Sequence, residues 1–402
     1  MKIRFLFFLV FHCSFSQVNI KGKVYDSKGP LEGAAIYFNS TMVGTTTNSE
    51  GEFSIKTEEG HFELIISYLG YKTIRYNLYT NEYKKPLVFA LEENRYTLDE
   101  VVLKKIKYDK KWKANLKRFY REFFGNTKLA KDCKIINPKT LFFYYNSKDN
   151  IFNAFTKAPL IIRHNGLGYS ITYDLVYFSV EKDFVKSLGY SQFKNLQGSK
   201  HKKRTWKKNR LVTYNGSVNH FLKSILANRV KREGFVIEQF IRLPNKERPS
   251  DTEIKKARKK ITSYKKTINF SRKIENPVTD IDSALVTIRK SNLPKLKDSI
   301  YKKDLKSKDI LVKKEGKLRL DFKNNLLVIY KKEKEEKNYR RRGLESSLKF
   351  RPQMSTIIPT TRPILIDKNG ILDNPLDLVY EGYWAFERFA NFLPLDYNPK
   401  KD

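Results

Sequence analysis

From Val18 to Leu91 apolar and polar residues alternate over short runs separated by Gly, Pro and Asn. "VNIKGKVYD" sets Val18, Ile20 and Val24 at even spacing before the turn "DSKGP", and "LEGAAIYF", "EFSI", "HFELIISYLGYKTIRYNL" and "PLVFAL" follow. This period of two, with turn residues between the runs, predicts a small antiparallel sandwich. Within it, "GTTTNSEGEFSI" has the composition of a binding loop. A phosphate-cradling loop needs a following helix and usually a Lys, whereas "EFSI" reads as a strand. The expectation is a hairpin: Gly44–Thr47 as strand, Asn48-Ser49-Glu50-Gly51 as turn, and Phe53 and Ile55 returning toward the core. Gly51 falls where a left-handed residue closes such a turn.

The period then changes. In "KKWKANLKRFYREFFG", Trp112, Leu116, Phe119, Tyr120, Phe123 and Phe124 recur at helical spacing and Gly125 stops the run. The resulting helix caps a core, or lies on a membrane with Lys110, Lys111, Lys113, Lys117 and Arg118 flanking its aromatic face. "TLFFYYNSKDNIFNAFT" predicts two strands, and "PLIIRHNGLGYSITYDLVYFSV" two more about an "HNG" turn, which puts His164 at a turn entrance rather than in a metal site. Val218, Phe221, Leu222, Ile225, Leu226 and Val230 predict a helix of about four turns, N-capped by Ser217 and ended by Gly234. His220 lies three residues from Ser217, but a catalytic triad is assembled from distant positions with an orienting acid, so capping is the preferred role. "GKLRLDFKNNLLVIYKK" reads as a hairpin turning at Lys323-Asn324-Asn325. Near the C-terminus, Asp367, Asn369 and Asp373 lack the later Glu of a calcium loop and read as turn residues. Trp384, Phe386, Phe389 and Phe392 read as core, and the acids around them suggest docking onto the basic body.

Composition adds two constraints. A chain of 402 residues predicts two domains. Its 80 Lys and Arg against 43 Asp and Glu, a net of +37, predict attraction to polyanions. The densest runs are "KHKKRTWKKNR", "KKARKKITSYKK" and "YKKEKEEKNYRRR" (Tyr330 to Arg342). They nominate Lys202, Lys203, Arg204, Trp206, Lys207, Lys208, Lys255, Lys256, Arg258, Lys259 and Lys260 as polyanion-binding residues, with Trp206 and Tyr264 as aromatic partners. Solvated loops are the alternative. The opening "MKIRFLFFLVFHCSFSQ" has the basic start, short apolar run and small residues of a signal peptide cleaved between Ser16 and Gln17. Cys13 invites lipidation, but Phe11 and His12 stand where small residues are expected. After cleavage Cys133 is the only cysteine, which leaves no intramolecular disulfide. Export makes nucleic acid an unexpected partner.

The stretch "IKGKVYDSKGPLEGAAIYFNSTMVGTTTNSEGEFSI…LIISYLGYKT" resembles the carboxypeptidase regulatory-like domain, through Gly22, Val24, Asp26, Pro30, Leu31, Gly33, Ala34, Gly44, Thr45, Thr47, Asn48, Gly51, Phe53, Ser67, Gly70 and Tyr71. The resemblance implies a Greek-key β-sandwich of the transthyretin (prealbumin) type. "TLDEVVLKK" (Thr97 to Lys105) is similar to the segment that follows this domain in TonB-dependent outer-membrane receptors of Bacteroidota. Fewer than 300 residues remain, too basic for the long barrel of such a receptor. A zinc carboxypeptidase needs close His-x-x-Glu ligands and a distant His; none of His61, His164, His201 and His220 has Glu at the third following position. The expectation is thus a mainly β chain: a signal peptide (1–16), the sandwich (17–95), a linker (96–109) and a basic, β-rich α+β domain (110–402). It has no assigned cofactor, metal or catalytic residue, and is expected in the periplasm, the outer membrane or the cell surface. A binding or assembly role is expected, with an envelope protein, an acidic glycan or lipopolysaccharide as partner and peripheral membrane contact as an option. A hydrolase acting on envelope glycan or peptide, and a cation-driven adhesin for acidic glycan or lipid headgroups, are the alternatives.

Overall fold

The alternating N-terminal runs form two facing sheets in the computed structural model, which describes residues 17–93, 107–182, 184–339, 351–400 and 402. The expected signal peptide, Cys13, and most of the expected linker with "TLDEVVLKK" lie outside the described residues. In one sheet Gln17–Asp26 pairs antiparallel with Glu52–Glu58 and Gly29–Pro30, and in parallel with Leu87–Ala90. The sandwich is therefore not wholly antiparallel, because its last strand returns alongside its first. The other sheet runs Gly44–Thr46, Ala35–Phe38, His61–Ser67, Ile74–Tyr79. Ile20, Val24, Phe53 and Ile55 from the first meet Ile36, Phe38, Leu64 and Ile66 from the second in one buried cluster. Each such side chain stabilises the sandwich by about 1.5–3 kcal/mol.

Asn48 to Gly51 makes the expected turn. Asn48 Oδ1 accepts from the Glu50 and Glu52 amides at 3.1 and 2.8 Å, and Gly51 has φ 72°. A Cβ on Gly51 would lie 2.4 Å from the Val24 carbonyl oxygen. The flanking strands, however, belong to opposite sheets, so the turn is an arch and not a hairpin. Thr47 fixes the crossing: its Oγ1 accepts from the Ala34 amide at 2.9 Å and donates to the Leu31 carbonyl at 2.5 Å.

Helix α1 (Lys110–Phe124) starts at Asp109, whose carboxylate accepts from the Trp112 amide at 2.8 Å, and ends at Gly125 with φ 79°. Its aromatic face is buried: Phe119, Phe123 and Phe124 pack on a six-stranded sheet. That sheet runs Leu141–Asn146, Ile151–Thr156, Tyr169–Glu181, Leu160–His164, Cys133–Ile135, with Phe184–Asn195 also paired to Tyr169–Glu181. Helix α2 (Lys200–Tyr214) crosses the 165–168 turn of this sheet.

A second core lies under α3 (Val218–Leu226) and α4 (Val230–Glu233). These replace the single helix expected to reach Gly234. The Asn228 and Arg229 amides turn back to the Ile225 and Ser224 carbonyls, with Asn228 left-handed at φ 52°, the closure of a Schellman motif. The helices cover a sheet of order Leu296–Lys302, Phe235–Pro244, Asn325–Lys334, Pro352–Pro359, Leu378–Gly382 and a smaller one built of Leu311–Lys314, Lys317–Leu320 and Ile364–Leu365. The Lys323-Asn324-Asn325 turn thus also joins strands of two different sheets and does not close a hairpin. Helices α5 (Asp251–Ser263) and α6 (Asp280–Lys290) form a hairpin inserted between Phe235–Pro244 and Leu296–Lys302.

The sandwich is bound to these cores by main-chain pairing. The Ser40 amide donates to the Ser191 carbonyl at 2.7 Å and the Phe193 amide to the Thr41 carbonyl at 2.9 Å. Farther along, Thr73 Oγ1 donates to Asp174 at 2.7 Å and the Tyr79 hydroxyl to Asp373 at 2.9 Å. The short helix α7 (Tyr383–Glu387) and the residues beyond it close the two cores. Trp384 sits in the second core, where Nε1 donates to the Gly216 carbonyl at 2.7 Å; Phe389 and Phe392 pack against the first. A chain ending at Asn374 should therefore lose its cooperative thermal transition and expose apolar surface, which dye binding and near-ultraviolet circular dichroism would report. A transition of unchanged midpoint would contradict this packing.

Candidate functional site

Two of the four histidines expected in the mature chain are engaged through both ring nitrogens. His164 is buried; Nδ1 accepts from the Leu167 amide at 3.2 Å and Nε2 donates to the Ala390 carbonyl at 2.8 Å. His220 accepts from the Gly216 amide at 3.1 Å through Nδ1 and faces Glu233 across 3.5 Å with Nε2. Burial lowers the pKa of both, so both are neutral tethers near pH 7. Ser217 caps α3, its hydroxyl accepting from the His220 amide at 3.2 Å. His61 stacks on Tyr79 with ring centroids 4.3 Å apart and meets Asp373 at 3.2 Å. His201 is exposed on α2. Among the described residues no group of three or more His, Cys, Asp or Glu is placed to hold a metal. Asp367 serves its turn, accepting from the Asn369 and Ile371 amides at 2.8 Å each. Burial pushes the Cys133 thiol up, which leaves it a poor nucleophile.

The nominated cations fall on two helices where loops were the alternative. Ser199 caps α2 and Ser250 caps α5, the latter with a reciprocal bond from Glu253. The overlooked signal in α2 is the spacing of Trp206, Arg210, Thr213 and Tyr214, its buried face. Lys202, Lys203, Arg204, Lys207 and Lys208 are exposed, and of these Arg204 and Lys208 lie opposite the buried face. Trp206 is not available as an aromatic partner for an anion: it is 7% exposed, its Nε1 donates to the Asn165 carbonyl at 2.7 Å, and it fills the space over Gly168 and Gly198. Lys255, Lys256, Arg258, Lys259 and Lys260 are exposed on α5. An open cleft of about 790 Å³ lies along α5 and α6, lined by Lys256, Lys259 and Lys290 together with Glu253 and Asp280. Lys260 is paired to Asp280 at 2.6 Å. The third run is strand as far as Lys334, and Arg340–Arg342 lie outside the described residues.

One carboxyl is strongly perturbed. Burial, reinforced by Glu336 and Glu333 and opposed by a 3.1 Å bond from Asn391, pushes Glu387 up to about 8. Local sequence gave no sign of it, since Glu333 and Glu336 lie about fifty residues earlier.

Residues 20–103 match the family model of the CarboxypepD_reg-like domain, so the sandwich is a carboxypeptidase regulatory-like domain. No curated protein matches the chain. No helix among the described residues is long and apolar enough to cross a membrane.

Glu387 sets a pH dependence. An unfolded Glu titrates near 4.5, so between there and about 8 the folded chain holds a proton that the unfolded chain has released. The stability this contributes is complete below the lower value and is lost as pH rises through the window. Glu387→Gln should match the parent near pH 4.5 and exceed it near pH 8.5 by about 2 kcal/mol; solvent still reaches part of the side chain, so the full shift is not realised. Urea denaturation at the two pH values would measure the difference, and equal curves at both would refute the assignment.

Proposed function

We propose that this is a non-enzymatic exported envelope protein with a binding or assembly role at the outer membrane or in the periplasm, and that the sandwich is its interaction module. The observation that carries this reading is the sandwich's one-sided attachment. Its contacts with the body come from Asn39–Met42, Gly44, Glu59–His61, Thr73 and Tyr79, on or beside the second sheet. The outer face of the first sheet presents Lys21, Tyr25, Ser54, Lys56 and Val88 to solvent, with Val88 64% exposed. A module held rigidly on one side and open on the other can recognise a partner without an ordering cost. The tethering of His164 and His220 within the packing favours binding over the hydrolase alternative.

Fractionation with N-terminal sequencing tests export. The expected outcome is recovery from the envelope as a chain beginning at Gln17. Tyr25→Asp with Val88→Asp should lower the yield of co-purifying envelope proteins several-fold at unchanged melting temperature. A cytoplasmic protein retaining Met1, or an unaltered yield from the double variant, would overturn the reading.

A further inference from the structure

Helix α2 carries Lys200, Lys202, Lys203, Arg204, Lys207, Lys208 and Arg210, and no acidic residue. Its inner side is fixed in place. Asn209 Nδ2 donates to the Gly166 carbonyl at 2.7 Å and Arg210 Nε to the Leu167 carbonyl at 2.8 Å. Arg210 also pairs with Asp402 at 2.8 Å and lies 4.0 Å above the Tyr169 ring. Lys207 reaches the Asp402 main-chain oxygen. Lys200, Lys202, Lys203, Arg204 and Lys208 are exposed and have no ion-pair partner among the described residues. Lys200, Arg204 and Lys208 follow one another at i, i+4 and i+8, a like-charge spacing that weakens a helix and that no acid in α2 offsets.

The same line continues into apolar surface. Leu211, at i+11, and Val212 beside it are 44% and 52% exposed. A convex rod with phosphate-reaching cations along its crest and two aliphatic side chains at one end suits a flat anionic surface. The α5–α6 cleft is different in kind: it is concave, it mixes signs, and Lys260 is already paired with Asp280. Base stacking for single-stranded nucleic acid needs exposed aromatics, and Trp206 and Tyr214 of α2 are both buried.

We propose that the outer face of α2 docks this protein on an anionic lipid bilayer. Lys200, Arg204 and Lys208 meet headgroup phosphates, while Leu211 and Val212 enter the interface. The proposal needs an anionic leaflet and not export, so it can fail while the envelope reading stands.

The test is co-sedimentation of the full chain with phosphatidylcholine vesicles containing none or about 30% phosphatidylglycerol, at about 50 and 500 mM salt. The parent should partition to the anionic vesicles alone and be released at high salt. K200Q/R204Q/K208Q should lower that partitioning at least about tenfold. K255Q/K256Q/K259Q, on α5, should stay within about twofold of the parent, and L211S/V212S should lose several-fold. All these positions are exposed, and unchanged melting temperatures would verify folding. Equal loss from the α2 and α5 charge variants, binding to neutral vesicles, or undiminished binding by the α2 variant would overturn the proposal. So would an α2-dependent affinity for a short DNA duplex that equals or exceeds that for the vesicles, because the helix would then be a nucleic-acid surface.

Discussion

The three cores are held in one arrangement by the segment from Tyr383 to Asp402. Trp384 closes the second core through the Gly216 carbonyl, and the Ala390 carbonyl receives His164 from the floor of the first. Phe389 stacks on Phe123 of α1 at 4.5 Å. The Leu395 amide then donates to the Ser40 carbonyl at 2.8 Å, and the Asp396 carboxylate accepts from the Met42 amide at 3.2 Å, both in the sandwich. Asp402 reaches Arg210 on α2. Backbone groups buried along this path each cost about 1–3 kcal/mol if left unpaired. Its polar contacts therefore matter as much as its aromatic ones, and neither body is complete without it.

This segment explains why the sandwich is more than an appended module. Asn39 joins two systems at once: its Oδ1 accepts from the Ser191 amide at 3.0 Å while its Nδ2 donates to Glu63 at 2.5 Å. Thr41 and Gln192 form a parallel bridge, which makes the turn a short extension of the neighbouring sheet edge. An edge strand that would otherwise expose unpaired main-chain groups is thereby covered. A face presented by the sandwich has a fixed position relative to α2, a property that two domains on a flexible linker would lack.

The sequence was most legible where structure is local. The caps at Ser217 and Gly125, the turn at Gly51 and the aromatic face of α1 follow from side-chain chemistry within a few residues. It was least legible where partners are distant. Asn48–Gly51 and Lys323–Asn325 have the composition of hairpin turns, yet each passes the chain from one sheet to another. Turn residues set the reversal of direction, while the choice of sheet depends on contacts such as Thr47 to Leu31. Charge misled in a related way. The lysine runs concealed helices because apolar periodicity in α2 rests on Trp206 and Tyr214, with Arg210 in a position usually read as apolar. Among its neighbouring cations Trp206 resembles a ligand platform, whereas its spacing to Arg210, Thr213 and Tyr214 places it in the buried face.

Where the charge sits decides what +37 means. In the α5–α6 hairpin, Asp251 meets Lys295 at 2.9 Å and Arg248 at 3.2 Å, and Lys260 meets Asp280. These exposed pairs add little to stability and divide the field into small patches of both signs. In α2 the field of the outer face is undivided, because the helix holds no acid and Asp402 is spent on buried Arg210. A uniform row of cations gains little from packing within its own chain, and its self-repulsion is relieved only by an external anion. The rigid attachment of α2 therefore favours the outer face as a preorganised surface, since its lysine stems lose freedom on binding but the helix beneath them does not.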